Sequence, residues 1–220
     1  MYTEAQLKRY SYFAKELENI GIEQLLDPLT GIVSRAYIIG FAQSLLEDGT
    51  PFTFAMLDLD NFKFINDTYG HHAGDGVLAD VGRTLIDYLD GFGIAGRFGG
   101  DELLIVNLKD RTYQEKKDFL ERFYAAGTVI RKNVNLENCN PFITGTIGCA
   151  TFPDDAGDYE ELFSLIDKAL YRGKTKGRNC YIIYVEAKHK DIEIRKIARK
   201  GIYTNMHNLI RQFEMVPGLV

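Results

Sequence analysis

The stretch RFGGDELLIV, residues 97–106, places two glycines and two acidic residues between apolar runs. The glycine pair predicts a tight hairpin turn at Gly99 and Gly100, because glycine reaches positive φ at little steric cost. Asp101 and Glu102 then begin the returning strand, where acidic residues are disfavoured. A solvated hairpin tip and a ligand site at the turn are two explanations for these acids, and the residues that fold near the turn distinguish them.

Helical and strand patterns interleave on both sides of this hairpin. PFTFAMLDLD (51–60) predicts a strand buried on both faces, because its apolar positions alternate only partly. Further strands are predicted over 142–152 and 180–185, and helices over 34–48, 73–89, 113–132 and 158–173. Because one strand pair is a tight hairpin, we predict an α+β fold, a ferredoxin-like antiparallel sheet flanked by helices, instead of a doubly wound parallel sheet.

The composition is that of an ordinary soluble protein. The chain has 220 residues, of which 45% are hydrophobic and 26% charged, enough for one well-cored domain plus appendages. A net charge of -5 argues against a generic nucleic-acid binder. The sequence shows no signal peptide and no apolar run near the roughly 18 residues of a membrane span. Its three cysteines form no CxxC pair, so we expect reduced thiols and a cytoplasmic protein.

Changes in the hydrophobic and charge pattern divide the sequence into three predicted segments. Residues 1–26 include a predicted N-terminal helix over 4–21, whose apolar face is formed by Leu7, Tyr10, Phe13, Ala14, Leu17 and Ile20. Residues 27–185 form the central domain. Residues 186–220 combine basic side chains with apolar positions at helical spacing, which predicts a basic amphipathic helix. Such a helix can lie on a membrane or on nucleic acid, but a docked helix or a linker towards a domain missing from this chain is favoured.

Carboxylates are expected to meet at the end of the predicted strand over 51–60. Asp58 and Asp60 are two residues apart, so both side chains point to one face if the extended geometry continues that far. If this strand neighbours the hairpin, they converge with Asp101 and Glu102. Several close carboxylates repel and need a counter-charge to remain ionised. Oxygen ligands without a nearby histidine or cysteine suit Mg²⁺ or Mn²⁺ better than zinc.

Two further groups of residues predict a nucleotide ligand. The Asn66 amide and the Asp75 carboxylate suit the Watson–Crick edge of a purine, and a carboxylate that accepts from N1–H and N2–H₂ prefers guanine. Lys174, Lys176 and Arg178 follow a predicted helix end, where they either favour the helix C-terminus or neutralise a triphosphate. A calcium loop is excluded because DLDNFK ends in lysine where glycine is required, and the sequence contains no GxxxxGK[ST].

The chain resembles the GGDEF domain of the diguanylate cyclase family in four ordered blocks. They are DPLTGIVSR (27–35), LDLDNFKFINDTYGHHAGD (57–75), RFGGDEL (97–103) and DKALYRGKTKGRN (167–179), with a weaker match at TIGCA (146–150). The resemblance implies a palm-type fold similar to the adenylyl cyclase catalytic domain. It also implies condensation of two GTP molecules into cyclic di-GMP, with release of two pyrophosphates, by a homodimer whose two domains face each other.

The resemblance also implies a role for each matching residue of the metal site. Asp58 and Asp101 would hold Mg²⁺ or Mn²⁺, assisted by the Leu59 carbonyl. Glu102 lies beside them, as a further ligand or as an aid to deprotonating the attacking 3′-hydroxyl.

The nucleotide-binding residues are carried over in the same way. Asn66 and Asp75 would read guanine, and Gly99 and Gly100 would leave space for the nucleotide. The β- and γ-phosphates would be held by Lys63, Lys174, Arg178 and the backbone amides around Asn61 and Phe62.

This sequence departs from the family pattern at two places. Leu103 replaces the motif's phenylalanine, which keeps an apolar strand residue at a packing cost of about 1–2 kcal/mol, so we expect reduced or normal activity. The product-inhibition motif RxxD is represented by DGFG (90–93), which lacks the arginine. We therefore expect no feedback inhibition by the product through that position.

Three functions remain to be distinguished at this stage. An active diguanylate cyclase is favoured, because the signature acids and glycines are retained. A catalytically silent GTP-binding module that signals through its helices is the alternative. A cyclase that uses ATP is disfavoured by Asp75. Members of the family usually follow a sensor domain, to which a stalk helix that pairs in the dimer connects them. Residues 1–26 resemble such a stalk. Sensor or effector domains outside this chain are therefore expected partners.

Overall fold

The computed structural model describes residues 10–125 and 127–192 of the chain. A short 3₁₀ helix at Ser11–Phe13 is followed by the α-helices α1 (Ala14–Leu17), α2 (Ile22–Leu25), α3 (Arg35–Glu47), α4 (Phe62–Tyr69), α5 (His71–Tyr88), α6 (Tyr113–Phe123), α7 (Tyr159–Thr175) and α8 (Glu186–His189). The strands, in chain order, are β1 (Phe52–Leu59), β2 (Gly93–Gly99), β3 (Glu102–Asn107), β4 (Lys132–Asn133), β5 (Phe142–Ile143), β6 (Gly145–Phe152) and β7 (Tyr181–Ile183).

The central sheet of the described residues has five strands in the order β2–β3–β1–β6–β7. β1 pairs antiparallel with β3 and β6, and β3 pairs antiparallel with β2, whereas β6 and β7 are parallel. The predicted α+β class is confirmed, but the sheet is mixed and not wholly antiparallel. α7 crosses over between β6 and β7, and such a crossover returns the chain in its original direction.

Helices cover both faces of this sheet, and β1 at its centre is buried along its whole length. On one face, Leu59 belongs to a buried cluster that includes Val77 of α5 and Phe119 of α6. On the other, the ring of Phe54 lies 6.0 Å from that of Tyr159 in α7. Successive strand residues point to opposite faces, and apart from Thr53 both sets of β1 side chains are apolar until the strand reaches Asp58.

The hairpin between β2 and β3 turns one residue later than predicted. Gly99 still belongs to β2 and pairs with Glu102, so Gly100 and Asp101 form the turn. Gly100 has a φ of 56°, which glycine adopts without the steric cost of a side chain. The strand pairing is irregular between Arg97 and Gly99, and a β-bulge of this kind shifts the register by one residue. Asp101 therefore lies in the turn itself, and Glu102 begins β3.

Three other elements are shorter than the sequence predicted. The strand predicted over 180–185 is β7, which covers only Tyr181–Ile183. The helix predicted over 113–132 is α6, which ends at Phe123; Gly127 then adopts a φ of 79°, which a right-handed helix cannot contain. The strand predicted over 142–152 is interrupted at Thr144, because Phe142–Ile143 pairs with β4 in a separate two-stranded sheet.

The N-terminal segment packs on the domain that follows it. Within the described residues, the helix predicted over 4–21 is only the 3₁₀ helix and α1, which ends at Leu17. The Tyr10 hydroxyl donates to the carbonyl of Gly31 at 3.2 Å, and the Phe13 ring lies 5.3 Å from that of Phe41 in α3. Tyr10 and Phe13, two of the residues that predicted one helical face, therefore contact the central domain.

The first compact unit of the chain ends at Lys190, just after α8. The basic amphipathic helix predicted over 186–220 lies outside the described residues from position 193 onward. Among the residues that the structure describes, none of the helices has the length and apolarity to cross a membrane.

Candidate active site

Two neighbouring strands place acidic residues at one end of the central sheet. Asp58, near the end of β1, lies opposite Glu102 of β3 and opposite Thr146 of β6. Residues directly opposite each other in antiparallel strands share a face, with Cβ atoms about 5 Å apart. The Leu59 N–H donates to the carbonyl of Asp101 at 3.2 Å, which holds the turn against the end of β1. Asp58, Asp101 and Glu102 therefore lie at the same end of the sheet.

Lys174, in the last turn of α7, brings a positive charge to these acids. Its ammonium donates to Asp58 Oδ2 at 2.6 Å, and the lysine side chain is 30% exposed against 12% for the aspartate. α7 packs along β6 and β1, so its C-terminal end lies beside the ends of these strands. A lysine predicted to bind phosphate thus pairs with an aspartate predicted to bind metal.

The environment of Asp58 disfavours its ionised form. Burial raises the pKa of Asp58 above its usual range, because the carboxylate loses hydration. The hydrogen bond and charge of Lys174 oppose this increase, whereas the carboxylates of Asp101 and Asp60 reinforce it. A further cation near Asp58 would therefore be electrostatically favourable.

Asp60 occupies a different environment, although it is only two residues further along. Its Oδ1 accepts from the Thr146 hydroxyl at 2.7 Å, and its Oδ2 accepts from the Thr144 hydroxyl at 2.9 Å and the Asn179 N–H at 2.8 Å. Asp60 is buried. These three donors satisfy the carboxylate within the protein, so Asp60 ties the end of β1 to β6 and to the loop that follows α7.

The oxygen atoms at this end of the sheet suit a hard divalent cation. Among the described residues, no three side chains of histidine, cysteine, aspartate or glutamate are arranged to hold a metal ion. The Asp58 and Asp101 carboxylates and the Leu59 carbonyl, with Glu102 beside them, are nevertheless the donor type that Mg²⁺ and Mn²⁺ prefer. Because the Lys174 ammonium lies on Asp58 Oδ2, a metal ion at that oxygen would have to displace it.

The start of α4 supplies backbone donors next to the acids. Asn61, between β1 and α4, has a φ of 54°, so the chain turns sharply from strand to helix. α4 begins at Phe62, and the Asn61 side chain does not cap its first N–H groups. Helix N-termini of this kind bind phosphate groups. Lys63 is exposed in the first turn.

The two residues predicted to read guanine lie on adjacent helices that pack together, α4 and α5. The side chain of Asn66 approaches Gly74 so closely that a Cβ at position 74 would collide with Asn66 Oδ1. Asp75 follows Gly74 directly and is exposed, whereas Asn66 is half-buried. The glycine therefore permits the close helix approach that places these amide and carboxylate groups near each other.

Comparison with known families adds an independent observation. The sequence model described as diguanylate cyclase, GGDEF domain matches residues 24–180. The chain belongs to the GGDEF family. All four sequence blocks that carried the resemblance lie inside this match.

Relatives of this GGDEF chain include longer proteins. It is 32% identical over 168 residues to the biofilm architecture maintenance protein MbaA of Vibrio cholerae, covering 71% of this chain and 21% of MbaA. It is 33% identical over 159 residues to the diguanylate cyclase DosC of Escherichia coli K12, covering 70% of this chain and 34% of DosC. The chain therefore spans less than half the length of either curated relative.

A solved structure supports the same fold. The diguanylate cyclase SiaD of Pseudomonas aeruginosa, crystallised with its activator SiaC, is 28% identical and has a TM-score of 0.67, covering 81% of this chain and 70% of the SiaD chain. In this GGDEF domain, Leu103 of the altered signature is fully buried in β3 opposite Leu57. It therefore keeps the apolar strand position expected of it.

A cleft of about 440 Å³ lies at the other end of β2, and its lining includes Tyr10, Ile86, Asp90 and Gly93. Asp90 and Gly93 are the ends of the DGFG stretch that stands in place of the product-inhibition motif. The absence of feedback inhibition through this position stays a prediction.

Sequence reasoning missed the residues that hold the loop after α7. Arg131 donates from Nε to Asn179 Oδ1 at 2.7 Å and from Nη2 to the Asn179 carbonyl at 2.9 Å. Arg131 fell inside the helix predicted over 113–132, and no motif surrounds it. Asn179 ends a recognised block, but the pattern assigned it no role. The pairing joins residues 48 positions apart, so no local spacing could have indicated it.

Proposed function

We propose that this domain is a diguanylate cyclase that condenses two GTP molecules into cyclic di-GMP and releases two pyrophosphates. The observation that supports it is the contact between Lys174 and Asp58, beside Asp101 and Glu102. This contact joins a candidate phosphate ligand to a candidate metal ligand at one point. Each domain would bind one GTP, so the reaction requires a homodimer with two sites face to face. Since MbaA and DosC are longer than the matched segment, we further propose that domains outside this chain supply the input signal.

The acids would provide the metal site. Mg²⁺ or Mn²⁺, held by Asp58, Asp101 and the Leu59 carbonyl, would activate the 3′-oxygen and stabilise charge at the α-phosphorus and the leaving group. Glu102 would assist, either as a further ligand or by accepting the proton of the 3′-hydroxyl. Such a charge would be favourable beside Asp58, because burial, reinforced by Asp101 and Asp60 and opposed by Lys174, raises the pKa of Asp58.

The remaining residues would bind and orient the nucleotide. Asn66 and Asp75 would contact the guanine edge. The β- and γ-phosphates would lie against Lys63, Lys174, Arg178 and the first amides of α4, around Asn61 and Phe62. Gly99 and Gly100 border open space, since a Cβ at either position would meet no atom within 4 Å. A nucleotide can therefore approach the turn closely.

The test is to incubate the purified chain at high concentration with GTP and Mg²⁺ and to assay cyclic di-GMP by chromatography. Asp101→Ala is expected to abolish the product, because it removes a proposed metal ligand. Asp154→Ala, which changes an exposed aspartate in a turn, is the matched control and should keep wild-type turnover. Product that persists in Asp101→Ala would contradict the proposal. Saturable GTP binding without product, even after forced dimerisation through the N-terminal segment, would indicate the silent GTP-binding module instead.

The choice of base can be tested in the same assay. If Asp75 accepts from guanine N1–H and N2–H₂, Asp75→Ser should lower the preference for GTP over ATP by about tenfold or more, because hydrogen bonds to a charged acceptor are lost. An unchanged preference would show that another group reads the base.

A further inference from the structure

We propose that Arg131 is a positioning residue for the loop of residues 176–180, and through it for Arg178. We call this segment, between α7 and β7, the phosphate loop. The inference rests on the proposed function, which assigns Arg178 to the β- and γ-phosphates of GTP. Arg131 itself would not touch the nucleotide.

The backbone of the phosphate loop is strained where it carries Arg178. Arg178 and Asn179 have φ values of 66° and 49°, so two consecutive residues with side chains adopt the left-handed conformation. This conformation costs L-residues energy, since Cβ approaches the following carbonyl, although asparagine tolerates it better than arginine. Such a segment keeps its shape only when its surroundings hold it.

Contacts on the backbone N–H, the carbonyl and the side-chain oxygen of Asn179 supply that restraint. Its N–H donates to Asp60 Oδ2 at 2.8 Å, its side-chain oxygen accepts from Arg131 Nε at 2.7 Å, and its carbonyl accepts from Arg131 Nη2 at 2.9 Å. A planar guanidinium can make two such hydrogen bonds at once, whereas a lysine ammonium has no equivalent fork. The residue that follows Arg178 is therefore fixed from both sides.

Arg131 is itself held in place. Its N–H donates to the carbonyl of Ile143 in β5 at 2.9 Å, and its guanidinium lies 4.8 Å from the centre of the Tyr124 ring. The Tyr124 hydroxyl lies 2.8 Å from the carbonyl of Gly145 and 2.6 Å from that of Cys180. Arg131 directly precedes β4, so the two-stranded sheet of β4 and β5 helps to hold Arg131 against the phosphate loop.

The anchored residue is close to the proposed chemistry. Asp60, which binds the Asn179 N–H, is two residues from Asp58, and Lys174, which pairs with Asp58, lies two residues before the phosphate loop begins. The Arg178 N–H donates to the carbonyl of Gly173 at 3.2 Å, so the loop folds back over the end of α7. Displacing Asn179 would therefore move Arg178 relative to Lys174 while leaving the guanine side of the site, at Asn66 and Asp75, unaltered.

The experiment compares two ligands that differ only in the phosphates the loop would bind. Dissociation constants of GMP and of α,β-methylene GTP, which cannot react, are measured by calorimetry with Mg²⁺. The proteins are wild type, Arg131→Met, Arg178→Ala and the double variant. We expect each single variant to weaken triphosphate binding about tenfold and GMP binding less than about twofold. The double variant should bind like Arg178→Ala alone, because both changes remove one contact. Arg83→Met is the control: its side chain is 72% exposed, and Asp80 keeps its ion pair with Lys132.

The possible outcomes separate positioning from general stabilisation. An equal loss for GMP and triphosphate in Arg131→Met, an additive loss in the double variant, or no change would each overturn the inference. If Arg131→Met does not fold, Arg131→Lys is measured instead, since lysine keeps the charge but cannot make both hydrogen bonds to Asn179. It should show the same selective loss of triphosphate affinity. Failure of the wild type to bind the triphosphate at all would refute the proposed function, whereas wild-type binding with an unaffected variant would refute only the role of Arg131.

Discussion

Two neighbouring regions at one end of the sheet surround their aspartates with different charges and hydrogen-bond donors. In the first, the ligand edge, Asp58 pairs with the half-exposed Lys174 and lies near Asp101 and Glu102. In the second, the anchor, Asp60 accepts from two threonine hydroxyls and one backbone N–H. The ligand edge concentrates negative charge near the Lys174 ammonium, whereas the anchor satisfies one charge with neutral, fixed donors.

This difference determines which of the two carboxylates is available to a ligand. The lysine on Asp58 can leave, because its long side chain is partly exposed and its ammonium can be solvated or can bind a phosphate. The donors on Asp60 belong to β6 and its flanking residue and to the phosphate loop, so none can leave without disturbing the fold. Sites that bind charged ligands commonly retain such an electrostatic cost in the folded protein, and the stability for it comes from elsewhere.

The largest expected effect is a loss of turnover when Asp58 of the ligand edge is changed. Asp58→Asn should lower turnover by about 10³-fold, because a neutral amide replaces a proposed metal ligand. The free energy of unfolding should remain within about 1 kcal/mol of wild type, since neutralising a carboxylate with a raised pKa relieves its desolvation. Chromatographic assay and urea denaturation measure the two quantities. Turnover above a tenth of wild type, with the fold intact, would contradict the assignment of Asp58.

The next effect is expected on stability at the anchor. Asp60→Ala should lower the free energy of unfolding by about 3 kcal/mol, because three buried or half-buried donors lose their acceptor. Urea denaturation compares it with Asp58→Asn and with the exposed control Asp154→Ala. A loss below about 1 kcal/mol would show that water replaces the carboxylate at Asp60 and that the anchor is not rigid.

The ligand edge was largely predictable from the sequence, and the anchor was not. The end of a buried strand and a nearby hairpin were both visible as patterns, so the proximity of Asp58 and Glu102 followed from pairing the strands. The predicted turn was wrong by one residue, because the two glycines do not indicate the irregular strand pairing between Arg97 and Gly99. Arg131 could not be found, since its role depends on a long-range contact to a residue in the left-handed conformation.

A smaller effect is expected on the affinity of the ligand edge for a divalent cation. Without nucleotide, Lys174→Met should bind Mn²⁺ about threefold to tenfold more tightly than wild type, because the competing ammonium has been removed from Asp58. Titration followed by electron paramagnetic resonance measures free Mn²⁺ directly and does not depend on turnover. The exposed Lys176, two residues further on, offers the matched control Lys176→Met, which should bind as wild type. Equal or weaker binding by Lys174→Met would mean that the lysine does not compete with a cation.

The smallest effect expected is a pH dependence of stability that arises at the ligand edge. Burial, reinforced by Asp101 and Asp60, raises the pKa of Asp58 above its ordinary value of 3.8, so the folded state binds a proton more strongly than the unfolded state. This contribution to stability is complete below about pH 3.8 and is lost as the pH rises through the folded-state pKa. Asp58→Asn lacks it, so the unfolding free energy of the variant minus that of wild type should increase from about pH 4 towards neutrality, measured by urea denaturation with a chelator present. A constant difference over this range would show that Lys174 fully compensates the burial of Asp58, and the contrast with Asp60 would then rest on geometry alone.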